Sequence, residues 1–110
     1  MRNLKKIKQI LILGKPFKVI FRKEKTGELV KDKKQNKFYL GTCNLDEQRI
    51  VLADHLALEE TLDTILHEVF HVLEFYMRYD SSEAYVQRMS TILTAFLLDN
   101  FNITLKKGVL

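Results

Sequence analysis

The stretch LALEETLDTILHEVFHVLEFYM, residues 56–77, decides the fold. At about 100° per residue its apolar members Leu58, Leu62, Ile65, Leu66, Val69, Val72, Leu73 and Tyr76 fall on one side of a helix. Glu60, His67, His71 and Glu74 fall on the other. Glu59 and Glu60 stand near the first turn, where the helix dipole favours acids, and Asp54 is read as the N-cap. Arg78 to Ser81 breaks the period, and Ser81 or Ser82 can cap a second helix running to about Asp99. Its expected apolar stripe is Tyr85, Val86, Met89, Ile92, Leu93, Phe96 and Leu97. So short a loop makes the two helices antiparallel neighbours.

Upstream the period is shorter. QILILGKPFKVIF, residues 9–21, reads as two strands rich in branched and aromatic residues, connected at Gly14-Lys15-Pro16. Residues 38–43 and 49–53 read as a second hairpin around the turn Asn44 to Gln48, which is expected near a sheet edge. Between them, residues 22–37 are mostly charged and read as a surface loop. The tail FNITLKKGVL is expected to be a short strand or a frayed end. The expected fold class is therefore α+β: a small, mostly antiparallel sheet of two hairpins packed on two long antiparallel helices. One domain, 1–110, is expected, because a chain this short cannot bury two separate interiors.

Composition narrows the class. With 46% of residues hydrophobic and 29% charged, the chain has the balance of a globular protein, not a disordered one. No apolar run approaches the roughly 20 residues needed to cross a bilayer, and Ile10–Leu13 is too short for a secretory core, so a cytoplasmic protein without a membrane partner is expected. The single cysteine, Cys43, leaves no internal disulfide and fits a reducing compartment. The net charge of +4 is uneven: residues 1–38 hold thirteen Lys or Arg against three acids, and residues 39–110 hold five against eleven. The basic half is read chiefly as a solvated face, with direct nucleic-acid binding as the lesser reading, since few aromatics accompany it. Carboxylates gathered around histidines suit a cation.

His67, Glu68 and His71 form an HExxH. Residues four apart on a helix sit one above the other, so both imidazoles can share one ion while Glu68 reaches a water beside it. Imidazole nitrogens bind Zn²⁺ at about 2.0 to 2.1 Å, and a carboxylate is the natural base for activated water. A third protein ligand is still required. Glu83 is favoured, because it opens a helix that must fold back beside the first and so approaches from a separate direction. Glu74 and Asp80 remain alternatives, and His55 is read as a surface or capping residue. Tyr76, Tyr79, Tyr85 and Arg88 are weaker candidates for stabilising an oxyanion, each more readily explained by packing or exposure.

From Gly41 through Asn100 the chain resembles the small zincin-like metallopeptidases of phages and mobile elements, related to the group often called ImmA/IrrE. The resemblance rests on Gly41 before a short hairpin, the strand Ile50-Val51-Leu52, the helix TILHEVFHVLEF and the following SSEAYVQRMSTILTAFLLDN, with a looser match in GKPFKVIF. It implies a minimal zincin-like domain and a zinc-dependent peptidase. His67, His71 and Glu83 would be metal ligands, and Glu68 the general base. The implied substrate is a protein or peptide, such as a DNA-binding repressor of a phage or mobile element. The competing expectation is a non-catalytic zincin-like module that holds zinc and binds DNA or a protein partner.

Overall fold

The computed structural model describes residues 4–23, 27–32, 34–35, 37–106 and 109. In chain order its strands are β1 (Gln9–Ile12), β2 (Lys15–Arg22), β3 (Val30–Asp32), β4 (Lys37–Phe38), β5 (Gly41–Asn44) and β6 (Arg49–Ala53), followed by helices α1 (Leu58–Met77) and α2 (Glu83–Asn100). The fold is α+β. A four-stranded sheet in the order β1-β2-β6-β5 packs on α1, α2 packs along α1, and β3 and β4 form a separate two-stranded ribbon.

Both expected hairpins form, and a parallel pairing of β2 with β6 joins them, from Lys18 opposite Arg49 to Arg22 opposite Ala53. The most apolar strands thus take the centre. The first turn is tighter than Gly14-Lys15-Pro16. Ile12 pairs directly with Lys15, and Leu13 and Gly14 carry positive φ values of 52° and 78°, the signature of a two-residue turn whose twist matches the strands. Lys15 and Pro16 therefore open β2. In the second turn the Asn44 side-chain oxygen accepts the Glu47 N–H at 3.0 Å.

Alternation along β2 and β6 divides the interior. Phe17, Val19, Ile50 and Leu52 face α1 and bury Leu62, Ile65 and Val72. Val51 and Ala53 point to the opposite face, where Leu29 and Leu56 cover them. Leu29 is completely buried, which corrects the reading of residues 22–37 as a plain surface loop. A 3₁₀ turn, Gly27–Leu29, and the β3–β4 ribbon occupy that segment, because β6 is apolar on both faces and its second face needs a cover. Residues 24–26, 33 and 36 of the segment lie outside the described residues. The tail makes no strand over residues 101–106, but the Val109 carbonyl accepts the N–H groups of Lys8 and Gln9.

Helix α1 starts later than Asp54 implied. Asp54 lies in the turn after β6 and donates its N–H to the Arg22 carbonyl, while Ala57 flanks the helix and caps it with no side chain. Buried Thr61 donates its hydroxyl to the Ala57 carbonyl at 2.9 Å. At the other end Arg78 is left-handed (φ 54°). The Arg78 and Tyr79 N–H groups return to Phe75 and Glu74, a Schellman ending that turns the chain back sharply. Helix α2 begins as expected, with the Ser82 hydroxyl accepting the Tyr85 N–H.

The apolar stripe expected on α2 is split: Val86 is buried and Met89, Leu93 and Leu97 are half-buried, but three of its largest members are exposed. Its buried line is Val86, Ser90 and Thr94, whereas Tyr85, Ile92 and Phe96 face outward. The small side chains and hydroxyls spaced four apart let α2 lie close to α1. The Asp63 carboxylate accepts from Ser90 Oγ at 2.7 Å and from Thr91 Oγ1 at 2.8 Å across the contact. No helix among the described residues is long and apolar enough to cross a membrane.

Candidate metal centre

Three elements build one cleft of about 760 Å³. Helix α1 supplies His67, Glu68 and His71 along one wall, the first residue of α2 supplies Glu83, and β5, the outer strand of the sheet, forms the facing wall. Close approach of β5 to α1 depends on Gly41: a Cβ there would lie 2.7 Å from Thr64 Cγ2 and 3.0 Å from Leu52 Cδ2. The cleft continues past Thr64 toward Tyr39, Leu40 and Lys31.

The histidines and Glu83 converge. His67 Nε2 lies 2.5 Å from Glu83 Oε1, His71 Nε2 lies 3.0 Å from Glu83 Oε2, and the two Nε2 atoms are 3.1 Å apart. Two ligands at zinc distances on a tetrahedral ion would be separated by about 3.3 Å, so the nitrogens are already spaced for one ion. Two imidazoles that aim the same ring atom at each other and at a carboxylate gather three possible donor atoms where one cation could sit. The donor set, two nitrogens and one oxygen, is that of a zinc centre with a position left for water. The residues therefore fit the metal that the HExxH spacing called for.

Glu83 reaches this focus because of the α1–α2 register. The Asp63 clamp lies one turn before His67 on α1 and two turns after Glu83 on α2, which locks the antiparallel helices with Glu83 over the histidine pair. The Ser82 cap and the Schellman ending fix the entry of α2. Among the described residues the buried His67 Nδ1 finds no hydrogen-bond partner, so packing and the Nε2 contacts hold its ring.

Glu68 stands apart from the donor cluster and is buried. Burial pushes its carboxyl up to about 7, His71 pulls the other way, and the Glu83 charge adds to the rise. Burial also raises the nearby Cys43 thiol, to about 11, with the Glu68 charge contributing, so this thiol is neutral and not a nucleophile.

Of the other ligand candidates, Glu74 is occupied elsewhere: its Oε2 accepts the Ser81 N–H at 2.8 Å and ties the interhelix loop to α1. Asp80 and His55 do not join the donor cluster. Tyr76, Tyr85 and Arg88 do not line the cleft, and Lys15 Nζ sits 4.9 Å from the Tyr76 ring centroid. Tyr79 borders an adjoining recess shared with His71 and Glu83. Sequence reasoning missed Asp63, whose position one turn before His67 on the polar side was the available signal. It also missed Gln87, one turn after Glu83, which lines the cleft.

Comparison with family models, with curated proteins and with solved structures finds no match to this chain.

Proposed function

We propose that this chain is a zinc-dependent peptidase of the zincin-like kind, with His67, His71 and Glu83 as metal ligands and Glu68 as general base. The observation that carries the reading is the convergence of both Nε2 atoms and both Glu83 oxygens on one point beside the buried Glu68 carboxyl. Zinc bound there would supply Lewis-acid activation of water and polarisation of a carbonyl. Glu68 takes the proton from the attacking water and delivers it to the leaving amine. Strand β5, at the sheet edge, offers backbone groups against which an extended peptide can be laid as an added strand. The substrate class is accordingly a protein or peptide with an extended segment. A repressor or other regulatory protein of a phage or mobile element, met in the host cytoplasm, is the specific substrate we favour.

The test pairs metal analysis with hydrolysis. Wild type and Glu68→Gln should both hold one zinc per chain, and only wild type should cleave an unstructured protein substrate. His67→Ala should lose the zinc. Retained zinc in His67→Ala would sink the site.

A second reading, a non-catalytic zinc-containing module that binds DNA or protein, is favoured by the thirteen basic residues among the first 38. It predicts salt-dependent retardation of DNA that Glu68→Gln leaves unchanged, with no hydrolysis by either protein.

A further inference from the structure

We propose that the outward face of α2 is a self-association surface whose occupant is a second copy of this chain, docked with the two α2 helices antiparallel. Helices in water do not ordinarily turn large apolar side chains outward in a row. On α2 Tyr85 is 54% exposed, Ile92 64% and Phe96 53%, with Met89 half-buried between them. Just past the helix Phe101 is 56% exposed, and its ring packs on Phe96 at 5.9 Å between centroids. These residues lie on the side of α2 away from Val86, Ser90 and Thr94, so α1 cannot cover them.

The spacing suits a second copy as the occupant. Tyr85, Met89, Ile92 and Phe96 follow one another at four, three and four residues, the seam spacing of paired helices. That pattern reads the same in both directions. An isologous contact about a two-fold axis requires such a palindrome, since each residue must meet the counterpart of another. With the axis between Ser90 and Thr91, Tyr85 faces Phe96 of the partner subunit and Met89 faces Ile92 of the partner subunit. The same register brings Phe101 of the partner subunit beside the interhelix loop, where Tyr79 is also exposed. An aromatic side chain half open to solvent leaves about 100 Å² uncovered, so Tyr85, Ile92, Phe96 and Phe101 together present about 400 Å². A standard interface needs about 800 Å² per partner, and Met89, Tyr79 and the stem of Arg88 extend the patch toward that size.

Sedimentation velocity of the full chain, from micromolar to submillimolar concentration, should show the mass rising from 13.0 kDa toward twice that value. Ile92→Lys/Phe96→Lys should stay at the monomer mass throughout while keeping its helical circular dichroism. Tyr85→Glu, at the other end of the seam, serves if that double variant fails to fold. For the register, Tyr85→Cys mixed with Phe96→Cys, both in a Cys43→Ser background, should form an interchain disulfide. Neither should cross-link with itself, because an antiparallel pair sets like residues about 16 Å apart along the axis. A wild type that is monomeric at every concentration overturns the second copy as occupant. A dimer that survives both seam variants overturns this face, and like-with-like cross-linking overturns the antiparallel register. None of these readouts depends on the metal centre.

Discussion

His67 Nε2 and His71 Nε2 stand 3.1 Å apart, each also within 3.0 Å of a Glu83 oxygen. Three possible donors from two helices thus meet at one point, and a metal ion bound there would add to the stability of the fold. Zinc binding to the folded chain alone should stabilise it by about 2.7 kcal/mol at a free concentration one hundred times the dissociation constant. Thermal melts with zinc and with chelator should therefore separate in wild type and coincide in His67→Ala and His71→Ala. Glu83→Gln should bind zinc more weakly, and Asp80→Ala should behave as wild type. Equal zinc-dependent stabilisation of Glu83→Gln and wild type would remove Glu83 from the ligand set.

Asp63 sets the register that brings Glu83 to the histidines, so its loss should be felt at a distance. Asp63→Ala removes acceptors for both Ser90 and Thr91. Ser90 Oγ keeps the Gln87 carbonyl as an acceptor at 3.0 Å, so the cost in denaturant unfolding is that of its lost bond to a carboxylate, about 1.5–3 kcal/mol. Zinc affinity should fall by about 10- to 100-fold, the range seen when outer-shell support is removed. Unchanged affinity in a folded Asp63→Ala protein would show that the α1–α2 spacing is set elsewhere.

Glu68 makes stability depend on pH in a direction opposite to that of a salt-bridged carboxylate. Without metal, its folded pKa lies at about 7 and its unfolded value near 4.5. Below pH 4.5 both states hold the proton and the group contributes nothing. Between 4.5 and 7 the unfolded chain releases it first, so stability falls as pH rises, and above 7 the penalty is constant. Its size is on the order of a few kcal/mol. Urea unfolding in the presence of chelator should find Glu68→Gln more stable than wild type at pH 8 and equal to it near pH 4. Equal stabilities at both pH values would show that Glu68 is not buried as described.

The parts of this molecule that the sequence displayed openly are those governed by one local rule. Leu62, Ile65 and Val72 announce α1 by their period, and His67 and His71 announce by theirs that their imidazoles meet. Ser82 signals the start of α2, and Glu83 could be placed because a short loop leaves a returning helix few options. What stayed hidden depends on partners far along the chain. Leu29 looks like one apolar residue in a charged loop until Val51 and Ala53 require a cover. The sequence pattern of α2 points its largest residues, Tyr85, Ile92 and Phe96, toward the core, and the structure turns them outward. The helix instead packs through Val86, Ser90 and Thr94, where small size and the Asp63 clamp outweigh hydrophobicity. The parallel joining of β2 and β6 has no local signature.

At Gly41 strand β5 lies against Thr64 of α1 with no room for a side chain, and the cleft depends on it. Its backbone is ordinary strand, paired opposite Leu52, so the demand for glycine comes from space and not from an unusual φ. A methyl there would lie 2.7 Å from Thr64 Cγ2. Thr64 cannot simply rotate away, because its hydroxyl donates to the Glu60 carbonyl at 2.8 Å. Gly41→Ala should therefore push β5 off the helix and destabilise the fold by about 1–3 kcal/mol. His67 sits one turn beyond Thr64 on the same wall, so zinc affinity should fall with it. Thr64→Ser removes the obstructing methyl and keeps the hydroxyl, and in combination with Gly41→Ala should restore most of both losses. A double-mutant cycle by chemical unfolding should give a coupling of about 1 kcal/mol or more, whereas additive effects would place the constraint on Gly41 at Leu52 Cδ2, 3.0 Å away, instead.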